Sequence, residues 1–439
     1  MNRIISFIYF VISIFLFFYI LYKSEIVFQG SNREYYLNYF ILSFVFLFIS
    51  ILNFKLSKKL NILVNISIFF IVVSFYMFEY YLKINSNQNS VLDNRRQDYK
   101  LLYGKKWDER SQYQVYRDLL HDNPNVVPSY YPSELNLKSN KIFSLAGVSN
   151  SLTIFCNENG YFSISKSDRY GFNNPDEEWD ADEIDYVFVG DSFTHGHCVN
   201  RPHDIPSVIR GIETNKVLNL GYGRNGPLTE YAVLREYLPK STKKIIFMYY
   251  GGNDLQNLNE ELANNILLKY LNNENFSQNL KTIQSDIDHE KRKNIIARSK
   301  GDKFKFIKLR QTRAVIEQII SFKKNINQND KITYNFKKLE QILFLTKKLS
   351  IKNNSKLFFV YLHADRYFNI NQSPSEDALY FQKVKSIVKK LNINFIDVHQ
   401  ELFEQYSDPK SLFPFGEFGH YSEKGYKKVA DIIYSLTKD

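Results

Sequence analysis

Three apolar runs near the amino terminus restrict this chain more than any other feature. The first, "IISFIYFVISIFLFFYIL" (Ile4 to Leu21), carries no charge. The second is "YYLNYFILSFVFLFISILNF" (Tyr35 to Phe54), and the third is "LNILVNISIFFIVVSFYMF" (Leu60 to Phe78), with Glu79 and Lys83 at its far edge. A helix needs roughly 20 such residues to cross hydrocarbon. The three runs therefore predict transmembrane helices over about residues 4–21, 35–54 and 60–82. A cleaved signal peptide is disfavoured for the first run, because no small-residue cleavage site follows and two more spans come directly after.

The loops give an orientation. "KLSKK", between the second and third runs, holds Lys55, Lys58 and Lys59, whereas the first loop mixes Lys23 and Arg33 with Glu25 and Glu34. The positive-inside rule places "KLSKK" in the cytoplasm. The amino terminus is then inside and everything after Lys83 outside, which in a didermic bacterium is the periplasm, the protein being held in the inner membrane. The net charge of +11 could suggest nucleic acid, but no basic-aromatic reader motif accompanies it, so no nucleic-acid partner is expected. Compositional bias toward Lys accounts for the charge, or else a positive surface beside an anionic membrane. Outside the cytoplasm disulfides persist, and the two cysteines, Cys156 and Cys198, are read as one bridge, with two buried thiols as the alternative.

Residues 84–180 read as a juxtamembrane neck and β-rich preface. "WDERSQYQVYRDLLHD" has helical spacing, and "SLTIFC" and "YFSISKS", separated by "NENG", read as a hairpin. Residues 181–439 alternate in the α/β manner. Apolar strands ("YVFVG", "NKVLNLG", "KKIIFMYYGG", "KLFFVYLHADR", "NINFIDV") are separated by helical segments such as "LTEYAVLREYL" and "EDALYFQKVKSIVKKL". Such alternation predicts a three-layer, flavodoxin-like α/β domain around a parallel sheet. Residues 256–348 interrupt it with a helical insertion, a lid, a membrane-facing surface or a solvated helical pair, in which Val315, Ile316, Ile319 and Ile320 recur at helical spacing.

Chemistry-bearing residues fall at strand ends, where open α/β sheets hold ligands. The first strand ends in Gly190-Asp191-Ser192, the second runs into "NLGYGRNGP", the third into Gly251-Gly252-Asn253-Asp254, and "FGHYSEKGY" places His420 just ahead of a helix that Ser422 can cap. Ser, Gly, Asn and His blocks in this order resemble the SGNH (GDSL-type) hydrolases over Asp185 to Leu436, apart from the insertion. "DRYGFNNPDEEW" upstream resembles the lead-in of membrane-attached bacterial members. The resemblance implies Ser192 as nucleophile and His420 as base, since a serine hydroxyl is a weak nucleophile until a base takes its proton. It implies an oxyanion hole from the Ser192 N–H, a backbone N–H at Gly223 or Arg224, and the Asn253 amide. Arg224 stands where relatives often carry glycine. Glu417, three residues before His420, stands where they carry the aspartate that orients the imidazole, so Glu417 is the expected third member, with a Ser-His dyad as the alternative. Asp191 and Asp254 are expected to tie the loops together. His195 and His197 have a metal-capable spacing, but no ligand cluster completes a site; neither a metal nor a cofactor is implied.

The function expected on this resemblance is a membrane-anchored, extracytoplasmic serine esterase or deacetylase acting on an O-acylated small molecule or surface glycan. One alternative is an O-acyltransferase of surface polysaccharide, which would need a membrane partner to deliver the acyl donor. The other is a non-catalytic, membrane-tethered glycan-binding or assembly protein.

Overall fold

A computed structural model describes residues 2–27, 30, 33–85, 90–131, 142–299, 308–327, 335–363 and 376–438. These fall into two compact units: residues 1–88 with 303–329, and residues 89–302 with 330–439.

The first unit contains α1 (Asn2–Leu21), α2 (Arg33–Lys55) and α3 (Lys58–Asn85). All three are long and apolar enough to cross a membrane. A polar group in hydrocarbon must find its partner within the protein, and the few polar side chains here do so. Ser6 Oγ donates to the Ser50 carbonyl and Ser50 Oγ to the Ser6 carbonyl, at 2.9 and 2.7 Å, while Ser13 Oγ donates to the Ser43 carbonyl at 2.8 Å. Asn65 joins Asn53, Asn61 and Tyr9 in a second polar knot between the helices. Small hydroxyl residues also let α1 and α2 approach closely.

The second unit opens with α4 (Ser90–Tyr103) and α5 (Gln112–Leu120). Ser111 and Gln114 form a reciprocal capping box at the start of α5, so the helix expected from Trp107 begins only at Gln112. Three short strands follow: β1 (Val126–Pro128), β2 (Leu152–Ile154) and β3 (Ile164–Lys166). β2 pairs antiparallel with β3, Ile154 opposite Ile164, and the Asn-Glu-Asn-Gly segment lies in the loop between them.

The main sheet is built from β4 (Ile184–Val189), then, after the short helices α6 (Ser192–His195) and α7 (Ile205–Arg210), from β5 (Val217–Asn219). After α8 (Pro227–Tyr237) comes β6 (Thr242–Tyr250). The insertion then supplies α9 (Asp254–Glu261), α10 (Asn265–Asn272), α11 (Gln284–Ser299), α12 (Arg310–Asn327) and α13 (Phe336–Lys352). β7 (Lys356–Leu362), α14 (Glu376–Lys390), β8 (Asn394–Asp397), α15 (Val398–Glu401) and α16 (Glu423–Thr437) complete the chain. The order β5-β4-β6-β7-β8, all parallel, is the flavodoxin-like 2-1-3-4-5 order.

Period-two alternation fills two layers. Val187, Val189, Phe247, Tyr249, Phe359 and Tyr361 face the layer containing α8, α10, α13 and α14. Phe188, Ile246, Met248, Phe358 and Val360 face α7 and α16. The insertion is not one body. α13 is the crossover helix of the sheet, with Leu339, Ile342 and Leu343 fully buried, whereas α12 belongs to the first unit and packs on α3. There Glu79 accepts from the Gln311 and Thr312 backbone N–H groups, at 3.1 and 2.8 Å, capping the α12 amino terminus.

"DRYGFNN" proves to be a scaffold. Asp168 is fully buried and accepts from Tyr170 N, Phe172 N, Asn174 Nδ2 and Trp179 Nε1 at 2.7 to 2.9 Å. Asn174 in turn brackets Asn219 at the end of β5, accepting from its N–H and donating to its carbonyl. Asn173 holds the His195 carbonyl at 2.9 Å. The lead-in therefore pins both the serine loop and the glycine loop. Replacing Asp168 by Ala removes the acceptor of four donors, two of them buried and two half-buried, a buried one being worth about 1–3 kcal/mol if left unpaired. Thermal unfolding of the solubilised Asp168→Ala protein is expected to show a Tm lowered by roughly 5–10 °C.

Candidate active site

β4 ends at Val189, and the chain turns at once. A Cβ on Gly190, whose φ is +158°, would lie 2.0 Å from Thr194 Oγ1 and 3.0 Å from the Met248 carbonyl, so only glycine allows the turn this tight. Asp191 then caps α6, accepting from Phe193 N at 2.9 Å. Ser192 is thereby presented at the carboxyl end of the strand flanked by β5 and β6, where the strand order reverses.

His420 arrives from the segment before α16, whose amino terminus Ser422 caps through Gly425 N. Its Nε2 lies 2.9 Å from Ser192 Oγ. Asp191 Oδ2 is a weaker second partner of the hydroxyl, at 3.4 Å. On the far side of the ring, Nδ1 lies 3.0 Å from Glu158 Oε1, and Glu158 Oε2 accepts from the His420 backbone N–H at 2.9 Å. A carboxylate against Nδ1 fixes the proton there and leaves Nε2 free to accept from the serine.

The carboxylate on the histidine is therefore Glu158, not Glu417. Phe415 and Gly416 both adopt left-handed backbone, at φ +57° and +70°, and the chain leaves this turn with the Glu417 side chain directed at α4. There its Oε1 accepts from Asn94 Nδ2 at 3.1 Å. Glu158 sits in the β2–β3 loop, read from sequence as a turn. One signal pointed to it. Cys156 and Cys198 are joined in a disulfide, which draws a loop two residues from Glu158 onto the loop six residues after Ser192.

Burial alone would raise the Glu158 pKa. The charge of His420 and its hydrogen bonds, with help from Arg95, outweigh that and bring it down to about 2. The other acids at this sheet edge behave in the opposite way. Burial raises Asp191 to about 6 and Glu261 to about 7, and lifts Asp254 and Glu230 well above the carboxylate range. Asp254 accepts from Tyr250 N at 2.7 Å, closing the loop after β6. Glu261 accepts from Gly226 N and Leu228 N, at 2.7 and 3.0 Å, and so caps α8 and pins the glycine loop. Glu230 and Glu261 escaped the sequence reading because nothing local marks either glutamate as buried.

The other expected residues lie along the same edge. Asn253 heads α9 just beyond β6, and its Oδ1 has no hydrogen-bond partner among the described residues. Arg224, next to Gly223, takes φ +63° despite carrying a side chain, a strain of about 1–2 kcal/mol. Its guanidinium lies 4.8 Å from the centre of the Tyr131 ring. His195 and His197 are buried, and burial depresses both, His195 to about 3. Both are neutral rings, packed against each other and, through His197, against His420. Donor atoms of Glu158, Cys198 and His420 cluster within 4.8 Å, but the Cys198 sulfur is already bonded to Cys156, so this set does not suit a metal.

A glutamate whose folded pKa lies below its unfolded value stabilises the fold above about pH 4.5, and loses that contribution as the pH falls toward 2. For Glu158, 20% exposed, the contribution is on the order of 3 kcal/mol. The Tm difference between wild type and Glu158→Gln is expected to shrink steadily as the pH falls from about 4.5 to about 2.5. A difference independent of pH would contradict this assignment of charge.

No family model matches the chain, and no curated protein does. Among solved structures, the chain is similar to one from Desulfitobacterium hafniense described as a "putative lipolytic protein of G-D-S-L family", at 14% identity and a TM-score of 0.34, over 58% of this chain and 99% of that one; a likeness so slight supports nothing further.

Proposed function

We propose that this chain is a membrane-anchored serine hydrolase that cleaves carboxylic esters outside the cytoplasm. One observation carries the reading: the unbroken relay Ser192 Oγ, His420 Nε2, His420 Nδ1, Glu158 Oε1, with links of 2.9 and 3.0 Å. A dead scaffold has no need to keep a serine, a correctly faced imidazole and an orienting carboxylate in line.

In the proposed reaction Ser192 Oγ attacks the acyl carbonyl as its proton passes to His420 Nε2. The imidazolium so formed donates from Nδ1 to Glu158, and its Nε2 proton then goes to the departing alkoxide. Water repeats the sequence on the acyl-serine. The Ser192 N–H, a backbone N–H of the Gly223-Arg224 pair and the Asn253 amide are assigned to the oxyanion, a donor of this kind being worth about 10²–10³ in rate. The disulfide and the lysine-rich "KLSKK" loop favour the extracytoplasmic side. The substrate is assigned as an O-acylated compound, a cell-surface glycan being the class that such a location favours.

Fluorophosphonate labelling of the full-length solubilised protein tests this without knowledge of the substrate. Wild type is expected to react, and folded Ser192→Ala and His420→Ala not to. Glu158→Gln should label at least 10²-fold more slowly, the orienting carboxylate of such a relay being worth up to about 10⁴, whereas Glu417→Gln should match wild type. A folded wild type that never reacts would end the proposal.

A further inference from the structure

Arg95 lies in α4, the helix that begins five residues after α3 ends. It is 7% exposed, an unusual place for an arginine so near a polar linker. Its Nη2 donates to the carbonyls of Glu417 and Phe418, at 3.1 and 3.0 Å, and its Nη1 lies 3.8 Å from Glu158 Oε2. One guanidinium therefore touches both the segment that carries His420 and the carboxylate that orients it. The packing leaves no slack. A Cβ on Gly419 would lie 2.7 Å from Arg95 Nη2 and 2.8 Å from Glu158 Oε2, so glycine before His420 lets the arginine and the glutamate close in from two sides.

The guanidinium of Arg95 bonds to Glu417 and Phe418 and pairs with Glu158, and the loop that bears His420 has little regular structure of its own. Two short 3₁₀ turns, Pro409–Leu412 and Pro414–Gly416, precede it. The planar fork divides its two ends, Nη2 holding both successive carbonyls while Nη1 faces Glu158, a grip on two elements that the single nitrogen of an ammonium does not reproduce. Aromatics hold this loop in place: Tyr99 of α4, and Trp107 just beyond the helix, lie 6.1 and 6.0 Å from Phe415, ring centre to ring centre.

We propose that Arg95 is the positioning residue of the Ser192–His420–Glu158 relay, so that the juxtamembrane helix is part of the catalytic machinery rather than a spacer. The inference rests on the function proposed above. Arg95 acts in two separable ways. Its fork holds the His420 segment in line with Ser192, and its charge competes with the imidazolium for Glu158. The other ionisable groups around the pair are Asp191 beneath Ser192, His195 and His197 beside the ring, and Tyr426 behind Glu158. Cys198, whose Sγ is 3.9 Å from His420 Nδ1, does not titrate within its disulfide. Removing the Arg95 charge leaves Glu158 freer to stabilise protonated His420. The acid limb of the rate profile, where His420 gains its proton, then moves to higher pH.

The test uses full-length solubilised protein, 4-nitrophenyl acetate hydrolysis across pH, and fluorophosphonate labelling rates. Arg95→Ala is expected to lower kcat at least tenfold with KM nearly unchanged, and to shift the acid limb upward. Arg95→Lys keeps the charge without the fork, so it should hold the limb near its wild-type position while kcat stays several-fold low. A folded Arg95→Ala protein with wild-type kcat and an unmoved limb overturns the proposal, as does one that loses Tm and kcat together without moving the limb. An unreactive wild type, or a Ser192→Ala protein as reactive as wild type, would instead defeat the hydrolase reading and this proposal with it.

Discussion

The relay depends on the double grip of Glu158 on His420. One carboxylate accepts from both the backbone N–H and the ring of the same residue, at 2.9 and 3.0 Å, so the imidazole can neither swing nor change tautomer without breaking a charge-assisted bond. The acid comes from a hairpin loop 262 positions earlier in the chain, ahead of the main sheet. The preface is therefore no passive neck: it supplies the carboxylate that fixes the proton on the outer ring nitrogen. The disulfide gives this arrangement a covalent tie, joining the loop that carries the acid to the loop that follows the serine.

This explains what could be read from the sequence and what could not. Strands declare themselves by local pattern: the alternation in "KKIIFMYYGG" or "KLFFVYL" reports two buried faces whatever the rest of the chain does, and the parallel sheet follows. Ser192, Asn253 and His420 are tied to strand ends and a helix start, which are also local. The acid is different. A carboxylate can reach Nδ1 from any element that passes within hydrogen-bond range, so spacing along the chain does not choose it. Glu417 had the spacing, but two left-handed residues before it turn its side chain toward α4. Glu158 had only the neighbouring cysteine as a sign. The insertion was legible as helices and not as a destination, because an amphipathic pattern does not say which apolar surface will cover it. α13 covers the sheet, while α12 covers α3.

Three loops meet at the carboxyl edge of the sheet, and each leaves backbone N–H groups to be satisfied. Acidic side chains do this work. Asp191 serves α6, Glu261 serves α8, and Asp254 closes the turn after β6. Helix amino termini attract negative charge, which makes the choice of acids reasonable one loop at a time. Together they crowd several carboxyls into one dry region. Repulsion and burial then push their protonation upward, and Glu230, with neither oxygen hydrogen-bonded among the described residues, is the extreme case.

The electrostatic consequence reaches the imidazole. His420 has Glu158 on its outer nitrogen and Asp191 beneath the serine it faces, and both carboxylates favour a positive ring. A base needs that stabilisation when it takes the serine proton, but an imidazolium held too tightly becomes a poor acid for the leaving alkoxide, which the same nitrogen must serve next. The Arg95 guanidinium opposes that excess, since it lies by Oε2 of the carboxylate whose Oε1 meets the imidazole, and takes part of its charge. On this account the arginine is placed in α4 not merely because the loop needs an anchor. Two acids at one histidine need a cation, and Arg95 brings one to Glu158.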